Sequence, residues 1–191
     1  MKPPLLFIAF AAISACAPPA VQTSSALDPA GVTTVIVVRH AEKAAEPAND
    51  PPLTSAGQAR AAALVDALRA FPVKAVVSTD FARTRSTAAP LAASRGLTTE
   101  LVDARAPDHA RAVAAGVLAR HRGETVVVVG HSNTVPDIVA ALGAPKPATI
   151  CDAEYDNLYV VRVPAGGGAA TVERRRYGAA SVLDAACASM R

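Results

Sequence analysis

Hydrophobic and polar positions fall along this chain in blocks whose spacing separates strands from helices. Residues 35–38, Val-Ile-Val-Val, are an unbroken β-branched run, the pattern of a strand buried on both faces. Apolar runs of similar kind occupy 73–78, 97–102 and 125–129, the last being the most hydrophobic. Between them the period changes. Ala61, Leu64, Val65, Leu68 and Phe71 recur at helical spacing, so a helix opening on Thr54 or Ser55 as N-cap should lay that stripe on a sheet, with Pro72 closing it. A second helix is expected over 83–94, ended by Gly96. A third is expected over 108–120, with Val113, Val117 and Leu118 on its stripe and Gly123 after it. Pro136 suits the first turn of a fourth, over 135–142. Residues 157–163 and 171–177 alternate around Pro164-Ala165-Gly166-Gly167-Gly168 and read as a hairpin. Residues 41–52 carry three prolines and read as a loop. Strands alternating with helices predict an α/β domain: a three-layer sandwich with a mostly parallel central sheet, helices on both faces and a C-terminal edge hairpin.

The first residues break this pattern. Residues 1–15 hold Lys2 and then nine apolar positions, 5–13, too few to cross a bilayer as a helix but suited to a signal peptide. Ile13-Ser14-Ala15-Cys16 resembles the bacterial lipobox, in which the cysteine is lipidated and becomes the new N-terminus; an ordinary signal peptide is the alternative. Ala17 follows where an Asp would favour inner-membrane retention, so the resemblance to lipoproteins leans toward the outer membrane. Residues 16–31, rich in Pro, Ala, Ser and Thr, read as a lipidated flexible tether. Residues 32–191 are then the folded domain, expected on the periplasmic side of the cell envelope and attached to the membrane through a lipid on Cys16.

Composition changes the picture little. A chain of 191 residues can bury one substantial core. It has no tryptophan and only 4% aromatic residues, so that core must be mostly Val, Leu and Ala. The 51% hydrophobic content and mean hydropathy of +0.28 are raised by alanine and by the N-terminal segment. A net charge of +3, from 19 Lys plus Arg against 16 Asp plus Glu, is too mild to argue for nucleic acid as a partner. Arginine far outnumbers lysine and clusters at strand ends, which suits local binding of phosphate anions.

The candidate chemistry lies at those ends. The first strand stops on Arg39 and His40, the second leads to Arg83, and the fourth runs through Gly130 into His131. Parallel strands bring these ends to one edge of a sheet, where ligands bind in open α/β folds. A guanidinium offers a permanently charged fork to phosphate oxygens, and a neutral imidazole is a nucleophile. Helix starts near Arg83 and Asn133 add backbone donors.

In these motifs the chain resembles the histidine phosphatase superfamily, also called phosphoglycerate-mutase-like. The family's Arg-His-Gly motif stands here as Arg39-His40-Ala41. Its second arginine, in a Ser-x-x-x-x-Arg-Thr-x-x-Thr-Ala context, stands as Ser78 through Arg83, Thr84, Thr87 and Ala88. Its second histidine stands as His131 in Gly-His-Ser-Asn-Thr. The resemblance spans about 32–177. It implies a phosphomonoester hydrolase in which His40 is phosphorylated and water then releases phosphate. Arg39, Arg83 and His131 would stabilise the transferring group, and Arg39, Arg83, Lys43 and Asn133 would bind the phosphorylated small-molecule substrate. No metal and no other cofactor is implied. Two departures stand out. Ala41 replaces the usual glycine, and no glutamate matches the family's general acid. Asp103 is the preferred acid, with Asp108, Glu42, Glu46 and Asp137 as alternatives. A phospho-ligand-binding lipoprotein without catalysis and a phosphomutase remain competing readings, with a structural envelope tether behind them.

His109 and His121 are expected to be solvated, and Tyr155, Tyr159 and Tyr177 to pack on strands. Cys151 and Cys187 would form an even pair once Cys16 is lipidated, and an oxidising compartment favours a disulfide over two buried thiols. Such a bridge would close 36 residues for roughly 3–4 kcal/mol. It is expected to fasten the tail over the hairpin end, remote from the phosphate site.

Overall fold

The structure, a computed structural model, describes residues 1, 31–183 and 185–188; Cys16 and most of the leader and tether expected around it lie outside these residues. The chain runs β1 (Val32–Arg39), α1 (Ser55–Ala67), β2 (Val73–Thr79), α2 (Ala82–Arg95), β3 (Thr99–Val102), α3 (His109–Arg120), β4 (Thr125–Gly130), α4 (Val135–Ala141), β5 (Asn157–Pro164), β6 (Thr171–Arg176) and a last turn, α5 (Ala185–Ala188). The strands form one sheet in the order β3-β2-β4-β1-β5-β6. The first four are mutually parallel, and β5 and β6 add an antiparallel hairpin at one edge. This is the expected α/β sandwich.

The valine-rich strands lie at the centre because helices cover both faces. Val35 and Val37 of β1 face Val113 and Val117 of α3 and Ile138 and Val139 of α4. Ile36 and Val38 face Leu64 of α1, Leu68 just after it, and Ala88 and Leu91 of α2. A strand with two apolar neighbours has no polar face to show, hence its unbroken run. In the parallel register Arg39 lies opposite Gly130, and Ser78 opposite Val129, so β1, β2 and β4 end together. The chain path ties that edge shut: the His40 amide donates to the Gly130 carbonyl at 2.9 Å.

Some boundaries differ from the sequence pattern for local reasons. Gly96 adopts φ 64° at the end of α2, and the Leu97 amide returns to the Ala92 carbonyl at 2.9 Å. Leu97 therefore completes a helix stop, and β3 begins only at Thr99. The proline-rich segment after β1 is a loop, but a tethered one. Lys43 pairs with Leu53 in an isolated bridge, and the Thr54 amide donates to the Glu42 carbonyl at 2.9 Å. Thr54 caps α1 by accepting from the Gly57 amide at 3.1 Å. Gly57 is where α1 meets this loop; a Cβ there would collide with the Glu42 carbonyl oxygen.

Candidate active site

Arg39 and His40 are both buried where β1 leaves the sheet. The Nδ1 of His40 lies 2.8 Å from the Ala41 carbonyl oxygen. A carbonyl only accepts, so Nδ1 carries the proton and the neutral ring keeps its lone pair on Nε2. Burial, reinforced by the charges of Arg39, His131 and Arg83, pushes the pKa of His40 down to about 3; the backbone bond to Ala41 opposes this only partly. At neutral pH the ring is therefore neutral, in a fixed tautomer whose Nε2 lone pair could act as a nucleophile.

Arg39 is held from behind. Its Nη1 donates to the carbonyls of Cys151, Asp152 and Glu154 at 2.8, 2.9 and 3.0 Å. Its guanidinium lies 4.1 Å over the ring of Tyr155, whose centroid is 6.2 Å from that of His40. One edge of the fork is thus committed to the backbone. The Nε is buried and has no partner among the described residues.

His131 faces His40, ring centroids 5.4 Å apart and edge-on. Its Nε2 lies 3.0 Å from Thr79 Oγ1, which lies 2.7 Å from Thr84 Oγ1. The Thr84 hydroxyl in turn reaches the Phe81 carbonyl at 2.9 Å. Its Nδ1 is 3.4 Å from Nη2 of Arg83, a group that only donates. The chain therefore runs in one direction, His131 Nε2–H to Thr79 to Thr84 to backbone, and Nδ1 holds the lone pair. Burial and the charge of Arg83 lower the His131 pKa to about 4. Arg83, on the first turn of α2, lies 3.7 Å from Asp50 and 4.2 Å over Phe81. Its Nε is likewise buried without a partner among the described residues. Thr87, one turn on, accepts the Ala41 amide at 2.9 Å, locking α2 to the residue after His40. The methyl of Ala41 packs in a small buried cluster with Leu53 and Ala61, which is where the residue that replaces the glycine finds its room.

The mouth beside His131 is a cavity of about 220 Å³ lined by Phe81, Arg83, Ala104, Arg105, His131, Asn133 and Thr134. A larger one of about 500 Å³ adjoins it, sharing Ala104, Asn133 and Thr134. Asn133 is exposed at this rim and Lys43 is exposed on its loop. The carboxylates weighed as acids each hold another partner. Asp103 is exposed, and its Oδ1 accepts the Arg105 amide at 2.8 Å; its side chain borders a separate cavity with Val77 and Val113. Asp108 and Asp137 line the larger cavity, where Asp108 pairs with Arg111 at 3.0 Å and Asp137 with Lys146 at 2.5 Å. Glu46 accepts the Ala48 amide at 3.1 Å. Glu42 is gripped by Arg60, Nη2 to Oε1 at 2.7 Å. Burial disfavours the Glu42 charge, but the Arg60 hydrogen bonds outweigh it and hold the carboxyl below its usual range. Among the described residues no group of three His, Cys, Asp or Glu is placed to hold a metal ion.

Several expectations need correcting. His109 is buried, with Nδ1 2.8 Å from the Asp103 carbonyl. His121 is largely enclosed between Glu100 at 2.8 Å and Glu124 at 3.0 Å. Neither is solvated, because each folds onto a neighbouring loop or strand that local spacing does not reveal. Tyr155 is not itself on a strand; it lies in the loop before β5, its ring under the guanidinium of Arg39 at the end of β1. Cys151 and Cys187 are joined in a disulfide with Cα atoms 5.4 Å apart. That bridge is not remote from the candidate site, since the Cys151 carbonyl is one of the three that hold Arg39. Arg60, which ties Glu42 to the Tyr177 and Ala179 carbonyls at 2.9 Å each, gave no sequence signal beyond its place in α1.

A family model described as histidine phosphatase superfamily (branch 1) matches residues 35–106. No curated protein matches the chain. Among solved structures, the protein histidine phosphatase SixA complexed with tungstate is 19% identical, with 78% of this chain and 96% of that one covered at a TM-score of 0.60. A putative phosphohistidine phosphatase SixA from Nakamurella multipartitia is 25% identical, with 80% and 100% covered at 0.55. A mycobacterial glucosyl-3-phosphoglycerate phosphatase is 16% identical, with 78% and 100% covered at 0.58. The matched segment holds Arg39, His40 and Arg83, the fold of these solved structures extends over the rest, and His131 meets His40 across the sheet edge: in motif, fold and site geometry the chain is similar to the histidine phosphatase superfamily.

Proposed function

We propose that this protein hydrolyses phosphomonoesters through a phosphohistidine formed on Nε2 of His40, without a metal. The observation that carries this reading is a neutral His40 of fixed tautomer beside two arginines whose buried Nε–H groups lack partners among the described residues. A buried donor left unpaired costs about 1–3 kcal/mol, and phosphoryl oxygens would relieve both. In the first step the His40 lone pair forms a P–N bond as the ester P–O bond breaks and the leaving oxygen departs with its electron pair. In the second, water attacks phosphorus, the P–N bond breaks, and inorganic phosphate leaves with His40 restored. Arg39 and Arg83 neutralise the charge on the equatorial oxygens.

Of the sequence candidates, Asp108 and Asp137 line the adjoining cavity but as ion-paired carboxylates, with Arg111 and Lys146, which favours substrates whose leaving group needs little protonation. Aryl phosphates and the phosphoramidate of phosphohistidine are of this kind, and the SixA likeness points the same way. We also propose that the domain acts in the cell envelope, anchored through Cys16, as its N-terminal sequence suggests. Purified protein should hydrolyse p-nitrophenyl phosphate far faster than glycerol phosphate, and His40→Ala should abolish turnover. Phosphate binding with no phosphohistidine trapped by rapid quench and mass spectrometry would instead support a non-catalytic binding protein.

A further inference from the structure

We propose that the Cys151–Cys187 disulfide is a positioning element for Arg39, so that the affinity of the site for phosphate depends on the oxidation state of this bridge. The inference rests on the reading of the site as a phosphate site and adds a control to it. The geometry that points to it is a short covalent path. Cys187, fully buried in α5, is bonded to Cys151, and the Cys151 carbonyl accepts from Arg39 Nη1 at 2.8 Å. The next residues continue the grip through the carbonyls of Asp152 and Glu154 and the ring of Tyr155.

This clamp is a stretch of loop, not regular structure, and a loop needs external restraint to hold three carbonyls on one nitrogen. The tail supplies it at two points. Ser181 Oγ accepts the amides of Tyr155 and Asp156 at 2.8 and 3.2 Å and donates to the Asp156 carboxylate at 2.9 Å. The disulfide is the other point, and the only covalent one among the described residues. By occupying Nη1, the clamp turns the opposite edge of the guanidinium, Nε and Nη2, toward an anion, and Nε is the atom without a partner among the described residues. Asp152 is 3.6 Å from Nη2, but its side chain is 97% exposed and water screens it; the charges of Glu154 and Glu42 also favour the cation. The directional contacts that orient Arg39 are the three carbonyls of the clamp.

Cutting the bridge leaves Arg39 in place but frees its backstop. A dithiol does this by supplying two electrons and two protons, giving two protein thiols and its own cyclic disulfide. Both sulfurs are buried, so the Cys151→Ala/Cys187→Ala pair is the cleaner probe and dithiothreitol the second. Binding of inorganic phosphate is measured by calorimetry at 15 °C, with far-UV circular dichroism to verify the fold. Loss of the bridge should weaken phosphate binding about ten- to a hundredfold, the scale on which misplacement of a binding group acts. In an Arg39→Lys background, which lacks the fork, breaking the bridge should change nothing further.

A bridge that only staples the fold would lower the melting temperature and leave phosphate affinity intact in both backgrounds; that result overturns the proposal. So does a chain that loses its fold at 15 °C both as the alanine pair and on reduction, because the bridge would then hold the domain rather than the arginine. An oxidised protein that binds no phosphate at all would strike the reading of the site itself, whereas binding indifferent to reduction would sink only the coupling.

Discussion

Lowering the pH from 7 to 5 should destabilise this protein far more than ordinary surface titration would. His40 and His131 are 3% and 8% exposed and have their pKa values pushed from 6.5 down to about 3 and about 4, in both cases chiefly by burial. In the unfolded chain each titrates near its ordinary value, so between pH 6.5 and the folded values the unfolded state binds more protons. Stability is then full above pH 6.5 and falls as the pH drops toward 4 and 3. Each histidine contributes a slope of about 1.4 kcal/mol per pH unit across that window, so the pair costs about 4 kcal/mol by pH 5. That is a large share of the roughly 5–15 kcal/mol expected of a single domain. Carboxylates held below their usual range, such as Glu42 and Glu100, add their losses only at lower pH, which leaves 6.5 to 5 as the histidine window. Urea unfolding at pH 7.5, 6.0 and 5.0 measures the slope, and a His40→Gln/His131→Gln variant should remove most of it. A stability flat from pH 7 to 5, or a slope undiminished in the double variant, would refute the reading of two buried neutral imidazoles.

Other substitutions test the supports of the site. Gly57→Ala drives a methyl into the Glu42 carbonyl and should cost about 2 kcal/mol or more in thermal melts, the range of overpacked cores. Asp103→Ala removes only a cap on the Arg105 amide, so kcat on p-nitrophenyl phosphate should stay within about twofold; a hundredfold loss would restore Asp103 as the acid. Tyr155→Ala strips the ring from beneath Arg39 and should weaken phosphate binding about fivefold, the worth of a partly buried cation–π contact.

The fold and the four central residues were legible because they obey local rules. An apolar run that stops on Arg39-His40, or on Gly130-His131, announces a strand end with chemistry on it, and parallel order puts such ends together. What could not be read is what comes to those residues from afar. The clamp on Arg39 lies at least 112 residues along the chain, and nothing in the spacing of Cys151, Glu154 or Tyr155 marks it. The enclosure of His109 and His121 likewise depends on Asp103 and Glu100 arriving from neighbouring elements. Local pattern predicted a solvated ring wherever a histidine stood near a helix end, and tertiary contact overrode it. Glu42 shows the converse. Its place beside His40 made it a candidate acid, yet its actual duty is to receive Arg60.

Arg60 also fixes when the site can exist. It joins Glu42, two residues past His40, to the carbonyls of Tyr177 and Ala179, while Arg39 waits for residues 151–154 and β1 for its neighbour β5. A chain leaving the ribosome displays His40 early but acquires its supports last. Over most of its synthesis it carries the proposed nucleophile without the rest of the site, and any truncation short of Ala179 should be catalytically silent however well its first four strands assemble.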